Sequence, residues 1–408
     1  MKLAGASTFT KRSPVLMFLA KAFQTDTRVR QEAKSLVDAN YVVSVIAWDR
    51  ESEFEALEKV DGVTVLSFSH VNLRRSSALG LALGAMIFQV LLLLNALIMI
   101  GHLRRRPIIH AHDFNTLVPA WFLKRLRLCA ALVYDCHELS YAAYSELFNP
   151  LMGAVVRIIE EECLRSVDAV ITVSDPIAQY LRRFNRSVET VYNCPSSQDI
   201  PQLTKAQARV KLGLPQNAFI ISHVGTIRYD HRLDLMLSVA SAAGKSACCF
   251  LVVGGGPLAA WFRRKAREMG AARLIILPQV PRNTALLYTK ASDLAWVVYR
   301  DPRMSLNSRI GMPWKFFESL ACGVPIVVED GTFRADLVRK LECGLVLESD
   351  EAGRISEIIL STANDHVRLE RMRLAARRSA DQVFNWEVMS SRLIALYSRL
   401  ESSASCSK

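Results

Sequence analysis

Two apolar stretches end in histidine and acid. Ile108 to His112 reads IIHAH and runs into Asp113; Leu132 to Cys136 reads LVYDC and runs into His137-Glu138. Imidazole beside carboxylate serves acid–base chemistry or metal ligation. His110 and His112, two apart on a strand, point to one face, which invites a metal reading. The zinc pattern HExxH fails, because Tyr141 stands where its second histidine belongs, and no metal is expected. The better reading puts His112, Asp113, His137 and Glu138 at the C-terminal ends of adjacent parallel strands, where open α/β sheets carry their active sites. A single strand-end histidine is often structural; two consecutive strands ending this way favour catalysis.

A second region suits an anion. Gly311 to Val328 reads GMPWKFFESLACGVPIVV. Pro313 opens a helix, with Lys315 and Glu318 in its first turns. A helix N-terminus with a lysine beside it fits a pyrophosphate, and the glutamate can accept two ribose hydroxyl hydrogen bonds. The plain alternative is an i,i+3 Lys–Glu pair worth a few tenths of a kcal/mol. Gly254-Gly255-Gly256-Pro257 follows the apolar run CCFLVV and also leads into a helix. Glycines there let backbone approach a ligand, although a tight strand-to-helix turn needs them anyway. Gly244-Lys245-Ser246 looks like the end of a P-loop, but Val239 occupies the place of that motif's first glycine, and the motif is rejected.

The elements that must position these residues are legible as periodicity. Short β-branched runs alternate with helical patterns, the signature of doubly wound parallel sheets. Strands are expected near 14–19, 41–47, 63–67, 108–111, 131–135 and 169–173. After a Pro- and Ser-rich stretch, Asn193 to Thr204, the pattern restarts near 218–224, 248–253, 273–277, 293–298, 324–328 and 344–347, with helices at Leu233–Ala243, Leu258–Met269 and Trp314–Ala321. This predicts an α/β chain of two Rossmann-like domains facing across a cleft: 1–200, 201–385, and a closing helix and tail over 386–408, with Ser402 to Lys408 solvated.

The segment PxKxFExxAxGxP at Pro313–Pro325 resembles the nucleotide-binding segment of family 4 retaining glycosyltransferases, which have the GT-B fold. Val224-Gly225-Thr226-Ile227 with Arg232 and Leu233–Leu237 looks like the family's phosphate-binding turn. FLVVGGGP (250–257), LPQVP (277–281) and Ala291-Ser292-Asp293 also match, as do IIHAHD, LVYDCHELS, DAVITVSDPIAQYL, Asp26 to Leu36 and the C-terminal FNWEVMSSRL. The resemblance implies transfer of a sugar from a nucleotide-diphosphate donor with retention, without metal or other cofactor; the absence of a strand-end DxD agrees. It implies donor binding by Gly225, Arg228, Arg232, Gly255, Gly256, Val280, Pro313, Lys315 and Glu318. His137 would then touch donor sugar or acceptor rather than act as a simple base.

Departures are informative. The family's pair of acids eight positions apart is represented here only by Glu318; Ile310 holds the first place, leaving Ser308, Arg309 or the Gly311–Met312 backbone to serve there. Its Gly-Arg turn is Gly225-Thr226, so Arg228 must replace one phosphate cation, and Arg232 stands for the usual lysine. AKAFQTDTRVR replaces the glycine loop after the first strand, which puts Arg28 and Arg30 near the acceptor or phosphates.

The 408 residues carry a net charge of +12, 51% are hydrophobic and 22% charged. That excludes a disordered chain and points to a membrane surface, with nucleic acid as the rival explanation of the charge. No RNA- or DNA-binding pattern accompanies the basic runs, so nucleic acid is set aside. The nine cysteines include no CxxC pair, which reads as a reduced, cytosolic chain. Met1 to Ser13 lacks the apolar core of a secretory signal. Ala78 to Ile100 holds no charge over 23 residues, with Arg74, Arg75 and Arg104 to Arg106 beside it. Strands on both sides argue against a span. The expectation is a crossover helix buried in one leaflet, with burial in protein, a dimer contact and a true span as alternatives, so that 74–106 meets the inner face of the cell membrane and the acceptor is a lipid-linked sugar or surface glycan. Two alternatives stand beside this: a nucleotide-sugar 2-epimerase of the same fold, and a non-catalytic membrane-associated scaffold. Donor base and oligomeric state are not legible.

Overall fold

The computed structural model describes residues 12–69, 78–244, 248–270, 273–299 and 305–406. Arg74, Arg75, Lys245, Ser246 and the N-terminus through Lys11 lie outside the described residues. The chain forms two compact units, 1–191 with 390–408, and 192–389. The division falls at Val191/Tyr192 rather than at 200, and the last helix returns to the first unit at Ser390.

Unit 1 is an eight-stranded sheet: β1 (Val15–Leu19), β2 (Val43–Trp48), β3 (Leu57–Val60), β4 (Val63–Phe68), β5 (Ile108–His112), β6 (Ala131–Cys136), β7 (Ala169–Thr172) and β8 (Val188–Thr190), in the order β3-β4-β2-β1-β5-β6-β7-β8. Strands β1, β5, β6 and β7 are buried along their whole length, because helices cover both faces of a parallel sheet. Two edge strands were not expected. The sheet is also not wholly parallel: β3 runs antiparallel to β4. Their turn is Asp61-Gly62, both with positive φ (50° and 86°), the hairpin geometry that Asp-Gly favours. β8 is three residues long, too short for a periodicity signal.

The helices of unit 1 are α1 (Thr27–Asp38), α2 (Ala78–His102), α3 (Phe114–Arg125), α4 (Ser140–Leu147), α5 (Pro150–Leu164) and α6 (Asp175–Leu181). The Asp26 side chain caps α1 through the Arg28 and Val29 amides, a bond worth about 1 kcal/mol. The apolar segment forms α2, about 37 Å long. Phe88, Leu92 and Ala96 are buried, four residues apart on one stripe, with Phe88 packed on Trp48 and Phe68. Met86, Val90, Leu94 and Ile98 on its other side are exposed. The helix is long and apolar enough to cross a membrane, yet Phe88 on its buried stripe packs against the sheet.

Unit 2 is a six-stranded, fully parallel sheet: β9 (Phe219–Val224), β10 (Cys248–Val253), β11 (Leu274–Leu277), β12 (Leu294–Trp296), β13 (Ile326–Glu329) and β14 (Gly344–Leu347), in the order β11-β10-β9-β12-β13-β14. Its helices are α7 (Lys205–Leu212), α8 (Leu233–Ala242), α9 (Ala259–Glu268), α10 (Arg282–Lys290), α11 (Leu306–Ile310), α12 (Trp314–Ala321), α13 (Phe333–Leu341), α14 (Ala352–Asn364) and α15 (His366–Gln382). The helix α16 (Trp386–Cys406) closes the chain; it continues through Ser402, where a solvated tail was expected. Among the described residues eight cysteines are buried.

Candidate active site

In unit 1, β5 and β6 pair in parallel with His112 opposite Asp135. The expected histidines and acids do converge at this strand edge, but around a residue that the strand-end pattern does not single out. Asp135 is fully buried. Its Oδ2 lies 2.9 Å from His137 Nε2 and 3.3 Å from His112 Nδ1. Arg28 binds the same carboxylate with both arms, Nε to Oδ2 at 3.1 Å and Nη2 to Oδ1 at 3.0 Å. Burial alone would raise the Asp135 carboxyl; Arg28, His137 and His112 hold it well below the usual carboxylate range. A charged residue inside the apolar run LVYDC was the available signal, since an unpaired buried carboxylate is too costly to persist.

Arg28 is thus turned inward. It also donates to the Val191 carbonyl at 2.8 Å and pairs with Glu32 at 3.0 Å, and it is buried. Its guanidinium is engaged by Asp135, Glu32 and the Val191 carbonyl, where the sequence suggested an acceptor or phosphate contact. Arg30, also expected there, is half-exposed and pairs with Asp61. Burial pushes the Glu32 carboxyl up to about 8 against the pull of Arg28. His112, expected to be catalytic, is wholly buried, stacked on His110 with ring centroids 4.2 Å apart. Burial holds both imidazoles below their ordinary range and therefore neutral. Tyr397 of α16 completes the cluster, its hydroxyl 2.8 Å from His110 Nδ1.

His137 is the partly exposed member. Burial would lower its pKa, but Asp113 and Asp135 carry it up to about 9. Its Nδ1 is 3.4 Å from Asp113 Oδ1. It is a cation at neutral pH and a poor general base. Asp113 has φ of 64° at the start of α3, a backbone cost of order 1–3 kcal/mol for a non-glycine residue and common at functional sites. Glu138 is exposed beside them. Glu32, His110, His112 and Asp135 offer ligand atoms all within 4.8 Å of one another and could geometrically hold a cation. The Arg28 guanidinium, however, already bridges the two carboxylates, and supplies that positive charge itself.

In unit 2 the elements expected to bind an anion meet at the C-terminal ends of β9 and β10. The Gly225 turn and the glycine run lie back to back. Gly225 N–H donates to the Val253 carbonyl and Ile227 N–H to the Gly255 carbonyl. A Cβ on Gly254 would sit 1.9 Å from the Gly225 oxygen, and one on Gly256 2.8 Å from the Ile227 oxygen. The glycines of 254–256, expected to open backbone to a ligand, are required by loop-on-loop packing, with Gly255 facing Gln279. Gly225 itself faces Lys315: an added Cβ would lie 3.5 Å from both Cε and Nζ.

Lys315 Nζ is buried and, among the described residues, makes no hydrogen bond. It lies 5.6 Å from the Tyr299 ring centroid. Burial drives its pKa down to about 7, with Glu318 and Asp230 pulling the other way. A buried amine aimed at a glycine turn without a hydrogen-bond partner has the chemistry to receive an anion. The turn is rigid: His231 Nδ1 and His223 Nε2 donate to the Thr226 carbonyl at 2.6 and 3.2 Å, and burial keeps both imidazoles neutral. Tyr299 stacks edge-on to His231 and lies under Arg334. Arg334 is paired with Glu329 and donates to the Gly311 carbonyl at 2.6 Å, which fixes the chain entering α12 where Ile310 replaces the family's acid. None of these five was picked out from sequence.

Pro313 starts α12 without a side-chain cap, and Val280 is half-buried against the core of its unit. Arg228 is exposed and pairs with Asp230 at 3.1 Å. Arg232 pairs with Asp350 at 3.0 Å and Asp234 at 3.6 Å. Glu318, expected to meet a ribose, carries Arg282 at 3.0 Å, and Arg282 lies over the Trp314 ring.

Residues 25–194 match the glycosyl transferase 4-like domain and residues 204–379 match glycosyl transferases group 1. The chain is 25% identical over 244 residues to a GDP-mannose-dependent monoacylated alpha-(1-6)-phosphatidylinositol monomannoside mannosyltransferase of Corynebacterium glutamicum, covering 57% of this chain and 63% of that protein. It is 24% identical over 307 residues to a D-inositol 3-phosphate glycosyltransferase of Rhodococcus jostii, covering 71% and 66%. The matched stretch thus spans about two thirds or less of these relatives. In fold it resembles sucrose-phosphate synthase from Thermosynechococcus elongatus (TM-score 0.74, 19% identity, 96% of this chain and 100% of that one). The HepE protein of Anabaena, solved with UDP and glucose, is also similar (0.69, 15%, 95% and 100%). Two mostly parallel α/β sheets, the glycine turn with its buried lysine and the two consecutive domain matches place the chain in the group 1, family 4 glycosyltransferases of the GT-B fold.

Proposed function

We propose that the chain moves a sugar from a nucleotide-diphosphate donor, with retention of configuration, to a lipid-linked or surface-glycan acceptor at the cytoplasmic face of the cell membrane, using no metal or other cofactor. The observation that carries the donor half is the buried, unpartnered Lys315 amine beside Gly225. In this reading the diphosphate lies against the Gly225 turn and the α12 N-terminus. Lys315 then becomes fully charged, and Arg228 and Arg232 exchange surface carboxylates for phosphate. Charge growing on the leaving diphosphate is met by fixed cations, the main catalytic term for such chemistry. The departing phosphate oxygen takes the acceptor proton on the same face, so no carboxylate nucleophile is needed. The His137 cation orients a hydroxyl or phosphate oxygen, and Asp113 holds its ring. Glu318 turns to the ribose when Arg282 releases it.

The acceptor half rests on α2, a charge-free helix with an exposed apolar face followed by Arg104 to Arg106. The lipid acceptor named for the Corynebacterium relative is in line with it. The test is a thermal-shift panel of UDP-, GDP- and ADP-sugars, followed by transfer to acceptors in membrane extract. A saturating donor at one hundred times its Kd stabilises by about 2.7 kcal/mol. No stabilisation by any donor, or epimerisation of donor without acceptor, overturns the reading.

A further inference from the structure

The apolar surface of unit 1 extends well beyond α2. Strands β5, β6 and β7 follow one another in the sheet, and α2, α3 and the α4–α5 pair each feed the next strand in the same direction. Right-handed crossovers therefore put them all on one face, and α3 packs against both α2 and α5. Their outer sides carry exposed apolar side chains among charged ones. Leu147, Leu151, Val155 and Ile158 are exposed along the α4–α5 hairpin, and Phe122 and Leu126 at the end of α3. Leu147 and Leu151 are 73% and 75% exposed. Leu151, Val155 and Ile158 recur at helical spacing, so they form a stripe rather than scattered side chains.

Charge identifies the occupant. α2 and α3 both run back toward the N-terminal ends of the strands, so their C-termini share one edge of this face. That edge carries Arg104, Arg105 and Arg106 after α2, and Arg125 and Arg127 at the end of α3, all exposed. Arg157 stands within the α5 stripe, exposed, with its Nε 3.8 Å from Glu161 Oε1. A greasy face edged with arginine matches acyl chains under anionic phosphates. We infer that the α3 end and the α4–α5 hairpin form, with α2, a single platform that beds this face of unit 1 flat into an anionic bilayer surface. This rests on reading α2 as a membrane contact and deepens it: α2 lies in the plane of the interface, and the α4–α5 hairpin is its second anchor.

The test is flotation of the full chain with phosphatidylcholine vesicles containing phosphatidylglycerol, and with phosphatidylcholine alone. The double variant Leu151→Glu/Ile158→Glu is expected to lose about a hundredfold in partitioning (about one decade for each buried leucine-sized side chain turned charged). Arg125→Glu/Arg127→Glu is expected to lose the preference for phosphatidylglycerol. Nucleotide-diphosphate binding by unit 2 should be unchanged in both, as the folding control. Wild-type flotation equal to that of the α5 variant overturns the platform while leaving α2 as an anchor, and so does a loss confined to Leu94→Glu. Absence of any wild-type flotation overturns both readings. Sedimentation without lipid closes the remaining case: a dimer dispersed by the α5 variant, with flotation unaltered, makes a second copy the occupant and overturns the inference.

Discussion

The guanidinium of Arg28 and the carboxylate of Asp135, 107 positions apart, form a buried, two-pronged ion pair. Removing one member strands the other charge in the core, which costs about 3–5 kcal/mol. Arg28→Met is therefore expected to lower the stability of unit 1 by that amount. Urea unfolding followed by a probe in unit 1 measures it, and a loss below about 1 kcal/mol would contradict the pairing.

Lys315 behaves in the opposite way. Its amine is buried and unpartnered, so Lys315→Met is expected to leave stability equal or raised while transfer falls by about 10²–10³-fold. A stable variant with wild-type kcat would refute its role.

The depressed Lys315 pKa makes donor binding pH-linked. In the free protein the amine titrates at about 7; a bound diphosphate restores the charge. Binding above pH 7 then takes up a proton, and affinity falls as pH rises, by at most about tenfold per unit. Calorimetry in two buffers of different ionisation enthalpy reads the proton directly. For folding, the unfolded lysine titrates near 10.5, so its burial penalty is full below pH 7 and fades between about 7 and 10.5.

His137 gives the opposite slope. Its folded pKa of about 9 exceeds the ordinary 6.5. Its stabilisation is complete below about pH 6.5 and is lost as pH rises from there through about 9. His137→Gln should flatten that limb of the stability curve and depress transfer most below about pH 9. An unchanged pH profile would show that the imidazolium carries no weight.

Chelation is expected to leave transfer unaltered, since Arg28 provides the positive charge between Glu32 and Asp135. Activity after EDTA dialysis, with metal content measured alongside, decides it. Loss of activity restored by a divalent ion would reassign Glu32, His110, His112 and Asp135.

Sequence was enough wherever the cause is local. Runs such as VLMFL and CCFLVV are apolar throughout because parallel strands are covered on both faces, and strands β1, β5 and β10 fall where expected. The Pro313 start of α12, the Gly225 turn and the histidines ending β5 and β6 were likewise readable, because turn and cap chemistry is written in neighbouring residues. The β3 and β8 edges were not: short, charged or half-exposed strands carry little periodicity.

What only the tertiary structure decided is the electrostatic character of each site. Asp135 becomes the hub because Arg28, from a helix 107 positions earlier, finds it, and Tyr397 reaches His110 across 287 positions. The glycines of 254–256 proved to serve packing against the Gly225 turn, and Lys315 proved to be the amine left without a partner. A side chain's charge state depends on which distant groups share its desolvated space, and spacing along the chain holds no record of that until the sheets are assembled.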